Sequence, residues 1–229
     1  MNTVILSQDD TIAIPSNIIK LYNQGIINIL AIVAIDHSGS ISNKKNMFLK
    51  GFGFIQFFKM AKVVLGNKII NILDNITRAS LFSKPRSLKL ASKRCKADYL
   101  VIKNPNDQKF LKYLDNLNLD LIISFSAPCV FKKELLGIPK IGCLNLHCSL
   151  LPNYAGLLPS FWTIFFSEKE IGATVHFMDD KIDNGDILGQ ISIPMPKDNS
   201  MYSVIMETKL AGGRLFCKVI ENISNGNLE

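Results

Sequence analysis

Apolar positions come in short runs that alternate with amphipathic stretches. Thr3-Val-Ile-Leu-Ser7 ends in polar Gln8-Asp-Asp, Pro15 opens a helix through Tyr22, and a β-rich run from Ile29 to Ile35 follows Gly25. Strand, helix and strand within about 33 residues is the spacing of a parallel crossover unit. The pattern resumes with a strand at Tyr99 to Ile102, a helical stretch from Gln108 to Leu117 and a strand at Leu121 to Phe125. After the Cys129 to Leu136 segment, Gly142 to Leu146 is another short strand. This alternation predicts an α/β fold, an open and mostly parallel twisted sheet with helices on both faces. Past residue 170, Ala173 to Met178 and Ile187 to Ile193 read as two strands joined by a polar, Gly-containing turn, and Met201 to Ile223 as a closing helix.

Residues 47–82 interrupt the rhythm. Phe48, Phe52, Phe54, Phe57, Phe58, Val63, Val64 and Leu65 alternate with Lys50, Lys59, Lys62 and Lys68. Such a segment either lies on a membrane as a basic amphipathic helix or packs on its own domain or a second subunit, and the packing reading is preferred. Charge follows the same segment. From Lys44 to Lys103, fourteen Lys/Arg stand against Asp74 and Asp98, in a chain whose net charge is +7. A basic segment of this kind suits nucleic acid, anionic lipid or a phosphorylated small molecule, or is simply a solvated face. The expected organisation is one domain over 1–229 with a basic helical insertion at about 44–98.

Composition narrows the class. In 229 residues, 48% hydrophobic and 20% charged content supports a sizeable core and excludes disorder. No apolar run reaches the roughly 18 residues of a transmembrane helix, and no signal pattern opens the chain, so a cytoplasmic location is expected. Five cysteines form no Cys-x-x-Cys pair and only three histidines occur, so neither a disulfide framework nor a metal site is expected.

The chemistry concentrates in Asn145-Leu-His147-Cys-Ser149-Leu-Leu-Pro152-Asn-Tyr-Ala-Gly156. A strand ending in Asn-x-His puts both side chains on one face, at the end of a parallel sheet where ligands bind. About 36 residues after His147 comes a carboxylate-rich turn, Asp179-Asp-Lys-Ile-Asp183-Asn-Gly185-Asp186. An amide, an imidazole and a carboxylate converging on one crevice suit acyl transfer to an amine. The amide and a charged imidazole stabilise an oxyanion, and the carboxylate orients the ring or takes a proton.

Three stretches in one order resemble the folate-dependent formyltransferases: Asp120-Leu-Ile-Ile-Ser-Phe, then Leu136 through Pro152, then Gly172-Ala-Thr-Val-His-Phe-Met-Asp with Ile182-Asp-Asn-Gly-Asp-Ile-Leu-Gly-Gln. The group includes methionyl-tRNA, glycinamide ribonucleotide and nucleotide-sugar N-formyltransferases. The resemblance implies a Rossmann-like fold and 10-formyltetrahydrofolate as co-substrate, without a metal. It puts the catalytic Asn, His and Asp on Asn145, His147 and Asp183. It also implies a pterin slot along Ser126, Ala127, Pro128, Cys129, Val130 and Phe131, facing Asp180, Lys181, Ile182 and Gly185. Ser149, Leu150, Leu151, Pro152, Tyr154 and Gly156 would shape the acceptor wall, with His37 at its edge. His176 is read as packing or an indirect contact, Asp179 and Asp186 as capping the turn, and Trp162 as an anchor for the helix after the loop.

Departures from the family pattern bear on the acceptor. Ser7-Gln-Asp-Asp-Thr-Ile-Ala-Ile-Pro15 contains no glycine, which disfavours a glycinamide acceptor held by a Gly-rich phosphate loop. Ala155 stands where the tRNA enzymes usually carry Arg, and the chain stops at Glu229 without their second domain. The expectation is therefore N-formylation of a nucleotide-linked amino sugar in surface-polysaccharide assembly such as O-antigen, with nucleic acid and membrane disfavoured as partners and a homodimer allowed. The alternatives are a tRNA formyltransferase without the second domain, a formyltetrahydrofolate hydrolase, and a non-catalytic membrane-surface module.

Overall fold

The computed structural model describes residues 1–8, 10, 13–36, 58, 61–70, 72 and 85–227. In chain order the elements are β1 (Asn2–Gln8), α1 (Ile14–Asn23), β2 (Asn28–Ile35), α2 (Leu88–Cys95), β3 (Asp98–Ile102), α3 (Gln108–Asp115) and β4 (Leu121–Phe125). They continue with α4 (Lys133–Leu136), β5 (Gly142–His147), α5 (Pro159–Phe165), β6 (Glu170–Phe177), β7 (Ile187–Pro194) and α6 (Met201–Ser224).

The strands form one seven-stranded sheet in the order β3-β2-β1-β4-β5-β6-β7. β1, β2, β3, β4 and β5 run parallel, while β6 is antiparallel to both β5 and β7. The expected α/β, Rossmann-like class is what the chain adopts. Alternate strand residues feed the two faces. Ile5, Ile32, Leu121, Ile123 and Phe125 pack with α1, α2 and α6, whereas Val4, Leu6, Val33 and Ile122 pack with α3 and α4. Residues buried on both faces explain why these strands read as continuous apolar runs.

Two details of the topology position the site. The order reverses direction between β1 and β4, so a crevice opens at their carboxyl ends. The closing helix α6 then lies close against the start of α1. Gly213 makes this possible, because a Cβ there would sit 2.1 Å from Asn17 Oδ1.

Several boundaries differ from the pattern. β6 begins at Glu170 rather than Ala173, because pairing continues to Glu170 opposite Pro194. α3 ends at Asp115 rather than Leu117, in a turn closed by the Leu117 N–H on Leu114 O. The stretch at about 44–98 includes at its end α2, an ordinary crossover helix whose Leu88, Ala91 and Cys95 enter the core. Residues 61–70 are helical, with Asn67 buried and hydrogen-bonded to Arg86. Leu65, Ile69 and Ile72 are exposed. Most of the remaining insertion, and His37, lie outside the described residues.

Candidate active site

Asn145 and His147 are the alternate residues that end β5, and both project to the same side. In the β5–β6 register Asn145 stands opposite His176 and His147 opposite Thr174. The turn between β6 and β7 folds back to bring Asp183 to them. That turn needs a positive φ of 48° at Asp183 and a glycine at 185, where a Cβ would meet Phe177 O at 2.0 Å.

Asp183 is the hub. Its Oδ2 lies 3.2 Å from His147 Nδ1 and accepts the Gly156 N–H at 2.8 Å. Its Oδ1 accepts from Asn145 Nδ2 at 3.4 Å and lies 3.6 Å from His176 Nε2. The side chains of His147 and Asp183 are only 7% and 14% exposed, so the pair is withdrawn from bulk water yet still reachable.

His147 faces an acceptor at each ring nitrogen. Nε2 lies 2.9 Å from Tyr154 O, and Nδ1 faces Asp183. Only the doubly protonated ring satisfies both partners. Burial opposes that charge and holds the pKa of His147 below its ordinary value, against the opposing pull of Asp183 and of Tyr154 O. For Asp183, burial pushes the pKa up, but the neighbouring His176 and His147 rings and the Gly156 N–H outweigh it, so its carboxyl sits below the usual range. The result is a stable carboxylate beside an imidazole whose charged form burial opposes and its two acceptors favour.

His176 is buried and orders the amide. Its Nδ1–H donates to Phe177 O at 2.7 Å, which in the neutral ring leaves Nε2 to accept from Asn145 Nδ2 at 3.2 Å. It thus touches the cluster both through Asn145 and directly, with Nε2 3.6 Å from Asp183 Oδ1.

The other expected residues fall into separate groups. Ser149 is buried with its hydroxyl committed to Asn153 O at 2.7 Å, and Leu150 packs over Gly172. Leu151 donates its N–H to Thr174 Oγ1 at 3.1 Å and precedes a cis peptide bond to Pro152. These residues clamp the loop onto β6, so that Tyr154 and Gly156 reach His147 and Asp183 through backbone atoms. The Tyr154 hydroxyl bonds Glu168 at the surface instead. Trp162 is 40% exposed, with its indole N–H on Leu157 O at 3.2 Å, and it joins Phe161, Phe165 and Phe166 in a partly exposed aromatic cluster.

Ser126 to Phe131 follow β4 at the crevice, and Asp180 to Gly185 form the facing turn. Lys133 and Asp180 join the two sides at 3.4 Å. Ser126 has a positive φ of 53°, Phe131 is buried, and Val130 and Ile182 expose apolar side chains at 51% and 62%. Burial pushes the Cys129 thiol up to about 11. Asp179 caps the turn, accepting from the Lys181 N–H and from Asn184 Nδ2. Among the described residues no group of three His, Cys, Asp or Glu is placed to hold a metal ion, and no helix is long and apolar enough to cross a membrane.

The backbone contributions of Tyr154 and Gly156 carry no sequence signal, because every residue has the same N–H and C=O. The pairing of His176 with Asn145 needs the β5–β6 register, which the sequence does not state.

Fold and cluster together define an α/β domain of the group-transfer type, with its polar site at the carboxyl edge of a parallel sheet. The chain belongs to the formyl transferase family, whose profile matches residues 61–220. It is 36% identical over 146 residues to the bifunctional polymyxin resistance protein ArnA of Wigglesworthia glossinidia brevipalpis, covering 62% of this chain and 22% of that protein. It is 35% identical over 134 residues to methionyl-tRNA formyltransferase of Clostridium botulinum, covering 57% of this chain and 42% of the relative. The chain thus spans less than half the length of these relatives. Among solved structures, glycinamide ribonucleotide transformylase 1 from Symbiobacterium toebii superposes with a TM-score of 0.67 at 15% identity, covering 99% of this chain and 88% of that one. A sugar N-formyltransferase from a Shewanella species superposes with a TM-score of 0.59 at 18% identity, covering 100% and 72%. Both share the fold. The family uses formyl-tetrahydrofolate as formyl donor.

Proposed function

We propose that this protein transfers the formyl group of 10-formyltetrahydrofolate to the amine of a nucleotide-linked amino sugar, in surface-polysaccharide biosynthesis in the cytoplasm. The observation that carries the chemistry is the convergence of Asn145, His147 and Asp183 at the end of β5, with Asp183 bonded to both strand and loop. The residues fit the donor. A flat conjugated ring with a polar rim suits the exposed apolar side chains of Val130 and Ile182 beside the half-buried residues 126–129 and the turn of residues 180–185.

When bound, the donor supplies an electrophilic formyl carbon. The acceptor nitrogen forms a bond to that carbon, the donor C–N bond breaks, and the amine proton ends on the departing nitrogen. With its Nδ1–H held on Asp183, His147 would turn its Nε2–H from Tyr154 O toward the oxygen on which charge develops, and the Asn145 amide adds a second donor. Asp183 keeps the ring in orientation, stabilises its charge and relays the proton released by the amine. The clamped Ser149–Pro152 loop excludes water from one side.

The sugar acceptor is supported by the glycine-free turn after β1 and by Ala155 in place of a basic residue. The exposed Leu65, Ile69 and Ile72 are the surface assigned to a homodimer contact. Relatives named methionyl-tRNA formyltransferase favour a second reading, a charged tRNA as acceptor. A folate-release assay with a panel of nucleotide-linked amino sugars, charged tRNA and water separates the readings. Turnover and a one-formyl mass gain on a sugar support the first reading. Turnover on tRNA alone replaces it with the second.

A further inference from the structure

The first turn of α1 starts beside the crevice, two strands from His147. The Ala13 N–H donates to Asp10 Oδ1 at 3.0 Å, and the Ile14 N–H points to the same oxygen at 3.4 Å. The other oxygen, Oδ2, takes the Lys209 ammonium at 2.5 Å, and both side chains are nearly buried, at 7% and 10% exposure. Lys209 reaches there from α6, whose own backbone is tied to α1 by Asn17 Nδ2 on Lys209 O at 2.8 Å. Cys148, the residue after His147, bonds Thr208 and lies within the field of both Lys209 and Asp10.

Helix N–H groups at the end of the first strand of a doubly wound sheet are where such folds receive a ligand phosphate. A buried ammonium aimed at the same place would complete an oxyanion site. Here the chain's own carboxylate fills it. An incoming phosphate would have to evict Asp10 from Lys209 and leave a buried charge unpaired.

We propose that Asp10 is a specificity-determining residue, an internal anion that closes the α1 terminus to acceptors anchored there by a phosphomonoester. Any phosphate of the true acceptor is therefore held elsewhere. This inference deepens the proposed acceptor assignment, but its test reads binding and stability, so the two can fail separately.

The test is thermal unfolding of wild type, Asp10→Ala and the double variant Asp10→Ala/Lys209→Met, titrated with inorganic phosphate or formate at constant ionic strength. The Asp10→Ala protein should unfold at lower temperature and regain stability with either anion. With a dissociation constant of about 1 mM, about 50 mM phosphate should raise its midpoint by roughly 5 °C or more. Wild type and the double variant should stay flat, the latter because it lacks the ammonium. Should Asp10→Ala not fold, Asp10→Ser serves, since its hydroxyl still caps α1 but leaves the charge unfilled. An Asp10→Ala or Asp10→Ser protein no more responsive than wild type overturns the proposal, as does an equal response from the double variant.

Discussion

Two buried carboxylates at the same edge of the sheet have opposite fates. Asp10 is 7% exposed and Asp183 14%; Asp10 accepts from the Ala13 and Ile14 N–H groups and faces the Lys209 ammonium, whereas Asp183 accepts the Gly156 N–H and faces the His147 and His176 rings. The partner makes the difference. Lys209 and Asp10 form a nearly buried pair at 2.5 Å that ties α6 to α1. Burial holds the His147 pKa below its ordinary value against the pull of Asp183, and its second nitrogen is engaged by a loop carbonyl rather than sealed in the core. Burial supplies the setting for both sites, while the partner's place, an ammonium between two helices or an imidazole at the crevice, decides whether a carboxylate becomes a joint or a reactive centre.

The sharpest way to break this comparison is Asp183→Asn. Formyl transfer should fall by about 10³-fold, within the range of general acid–base contributions, with the unfolding midpoint little changed. Near-normal turnover in a folate-release assay would remove Asp183 from the reactive class. The matching lesion on the other side is Lys209→Met, which leaves Asp10 buried without its cation and should cost about 3–5 kcal/mol in urea denaturation. A loss under about 1 kcal/mol would mean that the pair is not a joint, since that is the level of an exposed ion pair.

The α1–α6 seam can be probed without touching charge. Gly213→Ala forces a methyl against Asn17 and should destabilise by about 1–3 kcal/mol, measured in the same denaturant series. On the reactive side, His176→Gln loses the ring that orders Asn145 and should lower kcat roughly 10-fold with KM nearly unchanged, the size of one hydrogen bond. A change confined to KM would make His176 a binding residue.

The smallest expected effect is on pH. The His147 pKa is lowered on folding, so between its folded value and the unfolded value of about 6.5 the unfolded chain binds more protons and stability falls as pH drops. Asp183, also lowered on folding, adds a further loss as pH falls below the unfolded carboxylate value of about 4 toward its folded value. Unfolding midpoints followed from pH 7 to 5 should decline in wild type and flatten in His147→Gln. An unchanged slope would mean that His147 titrates as in the unfolded chain.

Much of this molecule was legible from its residues. Strands buried on both faces must be apolar throughout, so β1, β2, β4 and β5 announced themselves, and Asn145-x-His147 lay on one face by the two-residue period of a strand. Local pattern also marked the turn of Asp179 to Asp186 as a turn. It was weaker at edges, where β6 ran on to Glu170 because β7 offered a partner, and at α2, whose short amphipathic run sat within a basic segment read as an insertion.

What only the tertiary structure decided are the meetings between distant residues. Asp183 could be named from the sequence, but its grip on the Gly156 N–H, the His147 contact to Tyr154 O and the pairing of Asn145 with His176 follow from strand register and loop path. Asp10 and Lys209 stand 199 residues apart, and neither carried a signal, since a lone acid or base along the chain is most often a solvated side chain. Periodicity fixes which way a residue points within its own element, because that depends on local geometry alone. Which residue waits opposite depends on how the elements stack, and the close approach of α6 to α1 across Gly213 is what put an ammonium beside Asp10.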